Sequence, residues 1–275
     1  MGMRKMMKYV MLAMVVPFSL VAGEKRWLVA NEDNDRFFMA AKTDADLTEA
    51  GVRRYFTESV GAPGSKVTHY FMCVNGQRPS YDSKVWEPIW EGINDRDEYG
   101  KTNNRWCVNA KILHDRGIDP WKIWIDMSRE RGISPWISMR MNDTHFAHFD
   151  YKVHRNETFW WTHPELWVSP GGEDRGSRYF DYAKKGVRDH AMALVREILE
   201  RWDVDGLELD WMREIHCLGR ERAKRDSHYL TSFMRDVAAE VAAASRRRGH
   251  PILLAVRLSS SLANAVEFGF DVRTL

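Results

Sequence analysis

Cysteine is scarce in this chain, with Cys73, Cys107 and Cys217 the only three among 275 residues. An odd, widely spaced set is not a disulfide framework, and without a Cys-x-x-Cys pair or a Cys/His cluster it does not suggest structural zinc. One disulfide is compatible with an oxidising compartment, but the spacing does not name its partners. No Gly-x-Gly-x-x-Gly follows the first strand-like segment, so the dinucleotide-binding fingerprint is missing. Internal repeats and low-complexity stretches are absent as well.

Positive charge is lacking once the N-terminus is set aside. The formal net charge is +2, but residues 1–23 (MGMRKMMKYVMLAMVVPFSLVAG) hold three basic residues and no acidic one, so the remainder carries −1. No basic stripe is left to bind nucleic acid. The RRR at 246–248 ends a helical pattern just before Gly249, where cations complement the helix dipole. Arg4, Lys5 and Lys8 precede an apolar run, Tyr9 to Val21, that is short for a bilayer span. Ala22 and Gly23 follow it. This pattern predicts a secretory signal peptide over 1–23 and a mature domain over 24–275. The protein is then expected to be secreted or periplasmic in a bacterium, without stable membrane insertion after cleavage. A membrane anchor is the alternative.

What is present is a regular alternation. Strand-like segments occur at 27–33, 67–74, 135–141, 204–211 and 252–259, and helical patterns separate them. Asp119 can cap PWKIWIDMSRERG, which stops at Gly132. Ala183, Val187, Ala191, Leu194, Ile198 and Trp202 form one apolar helical face, and Leu230, Phe233, Met234, Val237 and Val241 form another. Strands alternating with helices imply an α/β fold with a parallel sheet. Helix-to-strand connections are short (RGIS, DVD, RRRGH). Strand-to-helix connections are long, from Asn75 to about 104 and from Asn142 to about 181. Long insertions at the carboxyl ends of strands are the habit of a (β/α)8 TIM barrel, with a doubly wound sheet as runner-up. A complete barrel has eight strands, so the expectation is a barrel truncated after about five βα units.

The fourth strand segment, VDGLELDW, carries acids where a buried strand should be apolar. Alternation puts Leu207, Leu209 and Trp211 on one face, and Gly206, Glu208, Asp210 and Met212 on the other, which in a barrel points inward. Asp210 then lies at the strand's carboxyl end, where barrel enzymes keep catalytic groups. Arg213 follows and can pair with a carboxylate.

This stretch resembles the fourth-strand motif DGxDxDWE of family 18 glycoside hydrolases. Asp205, Gly206, Asp210 and Trp211 match, Glu208 replaces an Asp, and Met212 stands where that family has its acid Glu. The last difference argues against chitinase activity. RWDVDGLELDWMR (202–213 and its preceding Arg), PWISMRMNDTH (135–145) and HPELW (163–167) are similar to the GHL10, or "family 10 glycosylhydrolase"-like, group of bacterial barrels. That resemblance spans about 27–275 and implies a glycosidase-like barrel without naming its substrate.

Glycosidic cleavage generally takes two carboxyl groups around an oxocarbenium-like state. Asp210 is the expected reacting or charge-stabilising carboxylate, Glu208 its support, and Asp143 a candidate proton donor. Asn142, with Asp143, can bind sugar hydroxyls or simply make a turn. Arg140 is expected to pair with Glu208, and Arg257 to be another buried partner of the acids. In Asn31-Glu32-Asp33-Asn34-Asp35, the acids can line a sugar subsite, Asp33 first among them, while a solvated loop is the safer reading for Asp35. Trp160 or Trp161 can stack on a sugar face, whereas Trp86 and Trp90, four apart, suggest a buried helix.

Three functions follow from these residues. The first is a glycoside hydrolase acting on a polysaccharide or glycan without a cofactor. The second is a carbohydrate-binding barrel without catalysis, motivated by Met212. The third is a metal-dependent hydrolase or deacetylase using Asp33, His145 and His148, although the spacing fixes no complete metal site.

Overall fold

The computed structural model describes residues 26–92, 100–145, 147, 152–172 and 175–273. The expected signal peptide and His148 lie outside the described residues. Five parallel strands form one sheet: β1 (Val29–Glu32), β2 (His69–Cys73), β3 (Ser134–Arg140), β4 (Gly206–Asp210) and β5 (Leu253–Arg257). Their order across the sheet is β1-β2-β3-β4-β5. A doubly wound sheet reverses its order at a switch point, so this consecutive order excludes that runner-up. It is the order of successive βα units in a (β/α)8 barrel.

Eight helices accompany the strands among the described residues: α1 (Arg36–Ala40), α2 (Glu49–Ser59), α3 (Gly100–Asp115), α4 (Pro120–Glu130), α5 (Thr158–Thr162), α6 (Lys185–Arg201), α7 (Ala223–Arg248) and α8 (Leu262–Glu267). Their ends follow local chemistry. Asp119 caps α4 by accepting from the Lys122 amide at 3.0 Å, and Gly132 takes a positive φ just beyond it. The apolar stripes of α6 and α7 are buried, from Val187 to Ile198 and from Leu230 to Val241. Arg248 at the end of α7 donates to the Leu199 and Glu200 carbonyls near the end of α6, which joins the two helices. None of the described helices is long and apolar enough to cross a membrane.

The register separates two faces. Partners in a parallel sheet share a face, so Tyr70, Met72, Ile137, Met139, Leu207 and Leu209 lie together against the helices, all buried. The other face carries Phe71, Cys73, Trp136, Ser138, Arg140, Gly206, Glu208, Asp210 and Arg257. At its lower end Trp136 stacks on Phe71, with ring centroids 4.7 Å apart and 11° between planes. A Cβ at position 206 would lie 2.3 Å from the Trp136 ring, so only glycine fits opposite that indole. Above this apolar plug the face turns polar towards the carboxyl ends.

Two side chains depart from their expected settings at this level. Trp86 and Trp90 are buried, but in irregular backbone and not on a helix. Trp86 stacks on His190 and Trp90 on His114. All three cysteines are buried free thiols.

Candidate functional site

The polar face of β3, β4 and β5 converges at its carboxyl end. Arg140 is paired in register with Asp210, and Asp210 with Arg257. The Asp210 carboxylate is almost fully buried and accepts from Arg257 Nη1 at 3.2 Å and from the Met212 amide at 2.9 Å. Arg257 is therefore the expected partner of the acids, but its side chain is 47% exposed, because β5 has a single neighbouring strand in the sheet.

Glu208 lies one rung deeper and accepts from the Ser138 hydroxyl at 2.7 Å. Burial pushes its carboxyl above the ordinary range; the Ser138 hydrogen bond opposes that shift and the Asp210 charge adds to it. The expected pairing of Glu208 with Arg140 is not formed. Ser138, not Arg140, is opposite Glu208 in register, and the guanidinium reaches upward and away.

Arg140 instead binds Asp143 at 2.7 Å and also Asp33. Arg213 binds the other oxygen of Asp33 at 3.1 Å. His145 completes the group, its backbone amide and ring both meeting Asp143. Burial alone would raise the Asp143 carboxyl, but the His145 hydrogen bonds and the Arg140 charge hold it well below its ordinary value. A carboxyl so held is an anion at neutral pH, and the proton-donor role expected for Asp143 is corrected accordingly.

These groups wall a cleft of about 130 Å³ at the ends of β1, β2 and β3. Asp33, Asp35, Arg140, Asp143, His145 and Arg213 line it, whereas Glu208 and Asp210 do not. Arg140 thus stands between the cleft and Asp210. Ile89 and Trp106 give the cleft an apolar side, and the Arg155 guanidinium sits over the Trp106 ring at 5.0 Å.

The sequence reading undervalued Asp35. It holds the N-cap position of α1 but makes no side-chain cap hydrogen bond, so its carboxyl is not used in the way an N-cap aspartate ordinarily is. Burial raises its pKa, the nearby Asp33 charge raises it further, and Arg155 and Arg140 oppose the shift. Asn34 and Gln77 were also missed. Both are buried and both line the cleft. No periodicity or motif marks residues in the loops NEDND and NGQRPS.

Other expectations need correction. Asn142 is turned into the protein, accepting from the Phe180 amide at 3.2 Å and donating to its carbonyl at 3.3 Å, and does not line the cleft. Trp160 is fully buried, with Nε1 donating to the Arg178 carbonyl at 2.9 Å, and has no face free for stacking. Trp161 is half-buried beside it, 6.0 Å between centroids, away from the cleft lining. Glu32 points to the helix side, where it accepts from the Tyr55 hydroxyl at 2.6 Å. Of the three residues considered for metal, Asp33 and His145 share the cleft. No group of three or more His, Cys, Asp or Glu side chains suited to a metal ion occurs among the described residues.

No protein-family model matches the chain, and neither does any curated protein. Several solved structures do. The galactosidase domain of an α-galactosidase–sucrose kinase is similar at 14% identity with a TM-score of 0.43, over 90% of this chain and 29% of that one. A mutant β-hexosaminidase from Streptomyces plicatus is similar at 14% identity and a TM-score of 0.45, over 88% of this chain and 44% of that one. An α-galactosidase from Thermus thermophilus gives 18%, 0.39, 85% and 39% for the same quantities. All three are glycoside hydrolases. The chain spans less than half the length of each.

Proposed function

We propose that this protein is a secreted or periplasmic glycoside hydrolase acting on a polysaccharide or glycan, with its chemistry at the carboxyl ends of the strands. The reading takes the sheet as five βα units of a (β/α)8 barrel. One observation carries it: carboxyl groups on or just beyond strands of one sheet have their pKa values shifted in opposite directions. Asp35 and Glu208 are shifted towards holding a proton, while Asp143 is held as an anion. Opposed carboxyl groups are what glycosidic cleavage uses, one to protonate the leaving oxygen and one to meet the developing positive charge.

In this reading Asp35, which opens on the cleft, protonates the leaving oxygen. Asp210, fixed by Arg257 and the Met212 amide, lies outside the cleft lining, and the reading puts the oxocarbenium-like sugar beyond Arg140, where that carboxylate meets it. Glu208 supports Asp210 from the rung below. Arg140 and Arg213 hold Asp33 in place at the cleft wall. The resemblance of VDGLELDW to glycosidase fourth strands supports the assignment of Asp210.

A carbohydrate-binding protein without catalysis is the second reading. Its observation is Met212, 41% exposed at the end of β4 where the similar motif has an acid. Release of reducing ends from a panel of polysaccharides decides between them. Cleavage that depends on Asp35 supports the hydrolase. Binding without cleavage supports the second reading, and cleavage abolished by a chelator would favour a metal-dependent hydrolase using Asp33 and His145.

A further inference from the structure

Two buried polar groups in the cleft have no partner within the protein. Asn34 and Gln77 are 3% and 8% exposed, and Asn34 Nδ2 and Gln77 Nε2 meet no acceptor. Both residues line the cleft. The orientation of Gln77 is fixed from behind, because its Oε1 accepts from the Glu157 amide at 3.1 Å and from Asn156 Nδ2 at 3.3 Å. The amide nitrogen is therefore the end left over. Asn34 is held by its backbone: its amide donates to Asp33 at 2.8 Å and its carbonyl accepts from Ser80 at 3.2 Å. Its side-chain nitrogen lies beside Gly76, 3.5 Å from where a Cβ would stand.

Buried donors without acceptors are rare and costly, so two in one cleft mark where a ligand supplies acceptors. Two of the cleft's carboxylates are already engaged. Asp33 takes Arg140 and Arg213, and Asp143 takes Arg140 and His145. The two buried groups left without partners, Asn34 Nδ2 and Gln77 Nε2, are both donors. A neutral hydroxyl brings a proton of its own to be placed, whereas a carboxylate brings acceptors only. Arg155 and Arg213 on the same wall add attraction for an anion.

We propose that Asn34 and Gln77 form a subsite for the carboxylate of an acidic sugar, so that the substrate is a uronic-acid-containing glycan. This rests on the glycosidase reading and deepens it. Calorimetric titration of the full-length protein tests it with digalacturonate, its methyl ester and the neutral digalactoside. The acid is expected to bind about tenfold or more tightly than its ester, as for a hydrogen bond to a charged group. Gln77→Glu and Asn34→Asp keep the side-chain shape but replace donors by acceptors. Each is expected to weaken the acid more than the ester and so to erase that preference, read as the acid-to-ester affinity ratio. Should either variant fail to fold, the acid-to-ester ratio on the unaltered protein decides. Equal binding of acid and ester, with the neutral sugar bound or cleaved, overturns the subsite and leaves the glycosidase reading standing. Inorganic sulfate binding as tightly as digalacturonate also overturns it, since the site would then take any anion. No binding or cleavage of any glycoside by the folded protein would remove both.

Discussion

Replacing Arg140 by Met removes the charge that ties the cleft together. The Arg140 and Asp143 side chains are 7% and 3% exposed and 2.7 Å apart, so water cannot replace the lost partner. Breaking such a pair from one side costs roughly 3–5 kcal/mol. The second arm, to Asp33, adds little, because Asp33 is 41% exposed and solvent screens it to about 1 kcal/mol or less. A loss of about 4 kcal/mol corresponds to a fall in melting temperature of about 10 °C for a chain of this size. The sign of its pH dependence follows from Asp143. Its folded pKa is depressed, so its contribution is present above the unfolded value and lost as pH falls through the folded one. In the variant burial is no longer opposed by Arg140, and protonation relieves the stranded carboxylate. The deficit should be largest near neutrality and should shrink below about pH 4. Asp143→Asn added to the variant should recover at least about 1 kcal/mol. Urea unfolding at the two pH values measures all of this. A variant within about 1 kcal/mol of the parent at neutral pH, or a deficit that grows in acid, refutes the reasoning.

Gly206→Ala puts a methyl 2.3 Å from the Trp136 ring, which is stacked and buried, and should destabilise by about 3 kcal/mol; unchanged thermal unfolding would show that the indole has room to move. Glu208→Gln should hold or raise stability, contrary to the loss expected from an Arg partner. Its folded pKa is raised, so ionisation costs stability as pH rises through the unfolded and folded values. The gain of the amide over the acid should therefore grow with pH across that window, and a gain confined to acid would contradict it. Asn142→Ala breaks two hydrogen bonds to Phe180 and should lower stability by about 1–3 kcal/mol with KM unchanged, as measured by denaturation and steady-state kinetics together.

The five strands and the helices α4, α6 and α7 were legible because each has one dominant signal. β4 shows alternation, with Leu207 and Leu209 buried against helices and Glu208 and Asp210 on the opposite face. α4 shows its cap at Asp119, and α7 shows its stripe and terminal glycine. Partnering among charges was less legible. Asp210 with Arg257 follows from adjacent strand ends, but Arg140 with Asp143 and Asp33 depends on where two loops return. Asn142 reads as a polar strand end, yet its partner Phe180 is far along the chain. The donors of Asn34 and Gln77 are conspicuous only once burial is known, since nothing in an Asn or Gln codon distinguishes a solvated amide from a buried one. Trp160 shows the same limit from the apolar side, for an aromatic in a long loop is equally a platform or a core residue until its neighbours are placed.

Asp210 is the group on which the hydrolase reading depends most. Asp210→Asn keeps the shape of the side chain, and its one oxygen can still accept from the Met212 amide, while the hydrogen bond that Arg257 makes to the other oxygen is lost at a cost of about 1–3 kcal/mol. The fold should survive while the charge opposite the oxocarbenium-like state is lost. The decisive measurement is kcat and sugar affinity of Asp210→Asn beside the parent, on a glycan that the parent cleaves. A fall in kcat on the order of 10³-fold, with affinity nearly unchanged, is the predicted result. Full activity in a folded Asp210→Asn protein would contradict the account.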